Sequence, residues 1–161
     1  MLARDDRHAF AVLVRRHQAS VRGLLRRLTA GDPALADDLA QETFLRAYRA
    51  LATYRGEAKL SSWLLRIAHR TFLSDARAGA ARRVEATEER PEAADLAVRY
   101  DLERALRLLS TEERAAIALT YGEDLSHEEA AAILDWPLGT LKTRILHAKE
   151  KLRARLLESA S

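Results

Sequence analysis

The chain has 161 residues, 48% of them hydrophobic, with a formal net charge of +3 and a pI near 9.5. That length allows one or two small domains able to bury a core, excludes a polymerase, and leaves a mild basic bias toward nucleic acid. No cysteine is present, so disulfides and cysteine-ligated zinc are excluded; a charged start (MLARDDRHAF) and no apolar run of membrane length predict a cytoplasmic protein without signal peptide or membrane insertion.

Six glycines, three prolines and apolar residues recurring at three and four positions predict an all-α chain. The first helix runs over about 6–28, with Phe10, Leu13, Val14, Val21, Leu24, Leu25 and Leu28 on its apolar face. His17 falls on that face, and with no second ligand at metal spacing it is expected to be buried and hydrogen-bonded. Ala30-Gly31 ends the helix, and Asp32-Pro33 opens the next as N-cap and first residue. This second helix reaches about Leu51, with Leu35, Leu39, Phe44, Ala47, Tyr48 and Leu51 apolar. Its other face gathers Asp37, Asp38, Gln41 and Glu42 ahead of Arg46 and Arg49. Acid early and base late complements the helix dipole; an acidic patch on a basic half also suits a protein-docking surface. The helix itself does not choose between them.

Residues 52–60 (ATYRGEAKL) read as a loop in which Gly56 breaks the pattern and Tyr54, Arg55 and Lys59 combine a ring with cations. Ser61 or Ser62 then caps a third helix carrying Trp63, Leu64, Ile67, Ala68 and Phe72, with Arg66, His69, Arg70 and Arg77 alongside. Rings among cations suit single-stranded nucleic acid, because the rings stack on unpaired bases while the cations follow the backbone. Taken alone, Trp63 reads more readily as core than as a stacking platform, and it is the combination of rings and cations that carries weight. Residues 1–78 carry a net charge of about plus six; over 79–95 periodicity fails, Pro91 intervenes and the net charge is about minus two, which predicts a flexible acidic linker.

A second small helical domain is expected over 96–161. Leu96, Tyr100, Leu102, Ala105, Leu106 and Leu109 form one face, and Ser110 with Glu113 reads as a capping box. A helix containing Ile117 leads through Tyr121-Gly122 to Ser126 and Glu129, a second capping box. Ala130, Ile133 and Leu134 make that short helix apolar on one side, Asp135 to Pro137 interrupt it, and a further helix starts near Leu138. There Leu138, Leu141, Ile145, Ala148 and Leu152 recur at helical spacing. Thr140, Lys142, Thr143, Arg144, His147, Lys149 and Lys151 are left outside, with Leu146 partly outward. Lys142, Arg144, Lys149, Lys151, Arg153 and Arg155 stand against Glu150 alone, whereas 99–137 is about minus five. Two helices, a tight turn and a basic outer face describe a helix-turn-helix DNA reader. Lys142, Thr143 and His147 would meet base edges, Arg144 and Lys149 phosphates, and Leu146 a thymine methyl.

In combination the chain resembles the extracytoplasmic-function group of bacterial RNA polymerase sigma factors over nearly its whole length. The resemblance rests on the run Asp38 to Ala47 (DLAQETFLRA), on Tyr54-Arg55-Gly56-Glu57 followed by Trp63 to Ala68 (WLLRIA), and on Pro137 to Arg144 (PLGTLKTR). It implies two helical domains, at 1–78 and 96–161, and a transcription initiation factor. By the resemblance Asp38, Gln41, Glu42 and Phe44 dock core RNA polymerase. Tyr54, Arg55, Lys59, Ser62, Trp63, Arg66, His69 and Arg70 capture the melted minus-ten strand. Thr140, Lys142, Thr143, Arg144, Leu146, His147 and Lys149 read the minus-thirty-five element of promoter DNA. It also implies an anti-sigma protein as partner and a free form that is monomeric.

The rival reading is a conventional helix-turn-helix regulator that binds duplex as a dimer, which needs neither the Tyr54–Lys59 loop nor an acidic helix; no dimerisation heptads are present. A helical adaptor that grips protein alone would tolerate loss of Lys142 and Arg144. With no Gly-rich phosphate loop, no catalytic cluster and no nucleophile motif, the chain is expected not to be an enzyme and to need neither cofactor nor metal.

Overall fold

A computed structural model describes residues 4–82 and 97–160; of the linker expected over 79–95, residues 83–95 lie outside the described residues. Among the described residues there are seven α-helices, one 3-10 turn and one π turn, and no strand. The first half holds α1 (Arg4–Leu28), α2 (Pro33–Ala50), a 3-10 turn (Leu51–Thr53) and α3 (Leu60–Arg82). The second holds α4 (Ala97–Arg107), α5 (Thr111–Ile117), a π turn (Ala118–Gly122), α6 (His127–Leu134) and α7 (Leu138–Ala160).

Local signals set most helix ends. The Asp32 carboxylate accepts the Leu35 N–H at 3.2 Å, with Pro33 following, and so starts α2. Between α1 and α2 the chain reverses through Ala30 and Gly31, both in the left-handed region; Gly31, at φ +83, could not carry a side chain without meeting the Glu103 carboxyl of α4. Two ends differ from expectation. α3 starts at Leu60, so Ser61 and Ser62 lie inside its first turn, where the Trp63 N–H reaches the Lys59 carbonyl. At its far end α3 continues through 79–82, because Ala78, Ala80 and Ala81 favour helix strongly enough to carry it past Gly79.

The three helices of the first half pack around Val21, Leu24, Leu25, Leu28, Leu39, Leu64, Leu65 and Phe72. His17, expected buried, is half-buried, and its side chain makes no hydrogen bond among the described residues. The same apolar cluster continues without a break into Ala116, Leu119, Ile133, Leu134, Leu141 and Ile145 of the second half. The halves therefore share a core: α1 lies against α5 and the π turn, and α3 against α6. A smaller cluster joins Ala30 to Leu106, Leu109 and Ala148. Leu102, expected on the buried face of α4, is 57% exposed; that face is narrowed to Leu106, which with Leu109 just past the helix meets Ala30.

Candidate nucleic-acid interface

The helix-turn-helix is built from short-range chemistry. Ser126 Oγ accepts the Glu129 N–H at 3.1 Å and a Glu129 carboxylate oxygen accepts the Ser126 N–H at 3.4 Å, completing the capping box. The Ser126 hydroxyl first and the Ser126 N–H next, both close to the Glu129 carboxylate, with the Lys59 charge nearby, hold that carboxyl below its ordinary pKa. α6 ends at Asp135, whose left-handed backbone (φ 58) lets the Trp136 N–H close on the Ala131 carbonyl at 3.0 Å. The Pro137 carbonyl then accepts from Leu141, so the proline sits at the entry of α7 one residue before its first helical position.

α7 buries Leu141, Ile145 and Ala148. Thr140, Lys142, Thr143, His147 and Lys149 are exposed, with Leu146 at 56%, so the expected outer face is present as a row. Two of its cations already have partners. Arg144 is half-buried and its guanidinium meets the Glu112 carboxylate at 2.7 Å, while Lys149 Nζ stands 5.0 Å from the centre of the Tyr121 ring. Thr143 Oγ1 donates to the Gly139 carbonyl at 3.0 Å. Lys151 turns back to Glu113 at 2.9 Å, so of the capping box expected at Ser110 only the Glu113 N–H to Ser110 Oγ arm forms by hydrogen-bond geometry. Burial pushes the Glu113 carboxyl up, but Lys151 and the Ser110 contacts outweigh it and hold the pKa below its ordinary value.

The loop before α3 is closed by its own polar groups: Thr53 Oγ1 donates to the Ala50 carbonyl, the Tyr54 hydroxyl donates to the Ala58 carbonyl, and Gly56 turns at φ +76 with open space around it. The Tyr54 and Trp63 rings meet at 5.1 Å, tilted, which leaves Trp63 half-buried against the core. Arg55, Lys59 and Arg70 are exposed and Ser62 and Arg66 half-buried; Lys59 also faces the Glu129 carboxylate at 3.8 Å. His69 is a correction. It is 6% exposed on the Leu65–Phe72 side of α3 and out of reach of nucleic acid; burial first, and then the Arg70 charge, lower its pKa to about 4, so it is neutral.

On α2, Asp38 and Gln41 are exposed, and Glu42 bonds Arg46 at 3.0 Å. The helix stands as a ridge between two clefts. Gln41 and Phe44 line an apolar groove of about 400 Å³ against α1, where Phe10 and Tyr48 meet edge to face; Asp38 and Glu42 line a polar cleft against Ser74 and Asp75 of α3. Sequence reasoning missed Leu45, 52% exposed beside that groove, although an apolar residue four positions after Gln41 was a signal. It also missed Glu112 as the partner of Arg144, because the pairing is not local.

Residues 13–84 match the family model described as Sigma-70 region 2, and residues 99–152 the one described as Sigma-70, region 4. The chain is 33% identical over 168 residues to the RNA polymerase sigma-H factor of Pseudomonas aeruginosa, covering 92% of this chain and 86% of that protein. It is 34% identical over 169 residues to the ECF RNA polymerase sigma-E factor of Salmonella typhimurium, covering 92% and 87%. Among solved structures, the sigma factor RpoE in complex with the anti-sigma factor NepR from Bartonella quintana superposes with a TM-score of 0.78 at 25% identity, over 92% of this chain and 96% of that one.

Proposed function

The chain belongs to the extracytoplasmic-function group of the sigma-70 family, and from that premise we propose how its surfaces divide the work of a transcription initiation factor that directs core RNA polymerase to promoters. The α2 ridge, with Asp38, Gln41, Glu42 and Phe44, docks core polymerase. The 54–59 loop and α3, through Tyr54, Arg55, Lys59, Ser62, Trp63, Arg66 and Arg70, hold the melted minus-ten strand. For that, the Tyr54–Trp63 ring pair has to open so that a base can enter. α7 reads the minus-thirty-five duplex with Lys142, Thr143, Leu146 and His147, and Arg144 and Lys149 take phosphates.

One observation carries this reading: the exposed row Thr140, Lys142, Thr143, Leu146, His147 and Lys149 projects from a helix whose opposite side, Leu141, Ile145 and Ala148, is fixed in the core. A row of cations and small polar groups on a rigid helix after a tight turn suits the major groove. Residues 13–84 supply the polymerase and minus-ten surfaces and 99–152 the minus-thirty-five surface. An anti-sigma protein is the regulatory partner, a reading supported by the RpoE–NepR likeness. No step calls for catalysis by this chain.

Run-off transcription with purified core polymerase tests the assignment. Wild type is expected to give promoter-specific transcripts, and Asp38→Ala with Glu42→Ala to lose them while binding duplex DNA unchanged. If core gains no initiation although the protein still shifts duplex alone, a conventional helix-turn-helix regulator takes its place.

A further inference from the structure

α5 lies against α7, and the segment from α5 to the π turn holds cations of α7 on two flanks by different chemistry. Arg144 and Lys151 stand seven positions apart, almost two full turns, and so share one flank. There Glu112 takes Arg144 at 2.7 Å and Glu113 takes Lys151 at 2.9 Å, each carboxylate offsetting the charge it holds. Lys142 and Lys149, again seven apart, share a second flank with the exposed Leu146 between them. Neither has a carboxylate partner among the described residues; Lys149 Nζ stands instead 5.0 Å from the centre of the Tyr121 ring. The turn that carries this ring is set by its own backbone. The Glu123 N–H closes on the Ala118 carbonyl at 3.1 Å, one residue wider than an α turn, which seats Leu119 and Thr120 in the core and leaves Tyr121 exposed. Thr120 spends its hydroxyl on the Ala116 carbonyl at 2.7 Å, whereas the Tyr121 hydroxyl makes no hydrogen bond among the described residues.

We propose that Tyr121 is a further residue of the promoter-duplex surface: its ring holds the Lys149 ammonium toward a backbone phosphate, and its free hydroxyl donates to the phosphate backbone alongside. This rests on the reading that α7 lies in the minus-thirty-five duplex. An aromatic face attracts an ammonium through its quadrupole and leaves the positive charge intact, so Tyr121 fixes where Lys149 points without neutralising it. A carboxylate in its place, such as Glu112 beside Arg144, fixes the side chain at the expense of the charge that a phosphate needs. Ordering a long side chain beforehand also removes part of the entropy it loses on binding. Both partners belong to the second half, so the pair travels with α7. Phosphate contacts carry register and not sequence; Tyr121 therefore sets how firmly α7 is seated, while Lys142, Thr143 and His147 meet the bases.

The test uses the full chain and an end-labelled duplex recovered by the wild type from a randomised pool, titrated by fluorescence anisotropy at several salt concentrations. Tyr121→Phe keeps the ring and loses the donor. It is expected to weaken binding about fivefold with the salt slope unchanged, since a neutral donor releases no counterion. Tyr121→Leu loses the ring as well, and should weaken binding about tenfold or more. It should also make log K against log salt shallower, toward the loss of about one unit expected of Lys149→Met, although no charge has been removed. In the Tyr121→Leu protein, Lys149→Met should then cost less than it does in the wild type. A smaller folded fraction lowers affinity alike at every salt concentration, so the slope separates positioning from destabilisation, and circular dichroism melts accompany each variant. An unchanged slope in Tyr121→Leu, or full additivity with Lys149→Met, overturns the positioning; unchanged affinity in Tyr121→Phe overturns the hydroxyl contact. If Lys142→Ala and Lys149→Met cost affinity and the Tyr121 variants do not, the Tyr121 assignment falls alone. If none of these substitutions matters, the placement of α7 on duplex falls with it.

Discussion

His69 shows how one residue's surroundings outweigh its neighbours in sequence. It sits among Arg66, Arg70 and Trp63, company that suits a nucleic-acid surface, yet its side chain is directed into the core of the first half. Kept neutral there, it titrates near pH 4 when folded and near 6.5 when unfolded. Between those values the unfolded chain binds the extra proton, so the stability present above pH 6.5 declines as pH falls and levels off near pH 4, by a total of about 3 kcal/mol. Denaturant unfolding from pH 7.5 to 5, above the range where carboxylates titrate, is expected to show this decline. His69→Leu should flatten it. An equal slope in both proteins would place the imidazole in water.

At the scale of elements, the same acidic α5 that caps itself with Ser110 also restrains the reading helix. Glu112 holds Arg144 and Glu113 holds Lys151, so part of the positive face of α7 is spent inside the protein. Lys142 has no such partner among the described residues. Lys142→Ala is therefore expected to weaken duplex binding and to make log K against log salt shallower by about one unit. Glu112→Gln should act in the opposite sense, freeing Arg144 for a phosphate, steepening the slope by about one unit and raising affinity several-fold. Filter binding at several salt concentrations reads both; a slope that Glu112→Gln leaves unchanged would mean Arg144 does not reach phosphate. The helix-turn-helix was legible in sequence because its signals are short-range: Ser126 with Glu129, Pro137, and the spacing of Leu141, Ile145 and Ala148. The start of α3 was not, because Leu60, Ser61 and Ser62 each suit the first turn of a helix, and neither was the burial of His69, because the cations Arg66 and Arg70 beside it in sequence outweighed Leu65 and Phe72, which share its buried face.

Across the whole molecule, the apolar pattern announces two helical units and says nothing of how they meet. Glu123 lies more than ninety positions from both Ser20 and Arg27, and in sequence it reads as an ordinary loop carboxylate; only the fold makes it a contact between halves. The continuous core from Leu24 through Leu119 to Leu141 means that removing either half exposes apolar surface of the other. Unfolding should therefore be coupled, and the chain carries its own reporters, since its two tryptophans, Trp63 and Trp136, fall one in each half. Single-tryptophan proteins made by Trp136→Phe and Trp63→Phe are expected to give fluorescence transitions that coincide with the far-ultraviolet helix signal, once the stability cost of each substitution is matched by the circular dichroism midpoint. With Glu123→Ala added, the halves lose the Ser20 and Arg27 contacts among their polar ties and the two fluorescence midpoints should part, the less stable half melting first. Separate midpoints already in the proteins with Glu123 intact would mean that the shared core contributes too little to bind the halves into one cooperative unit.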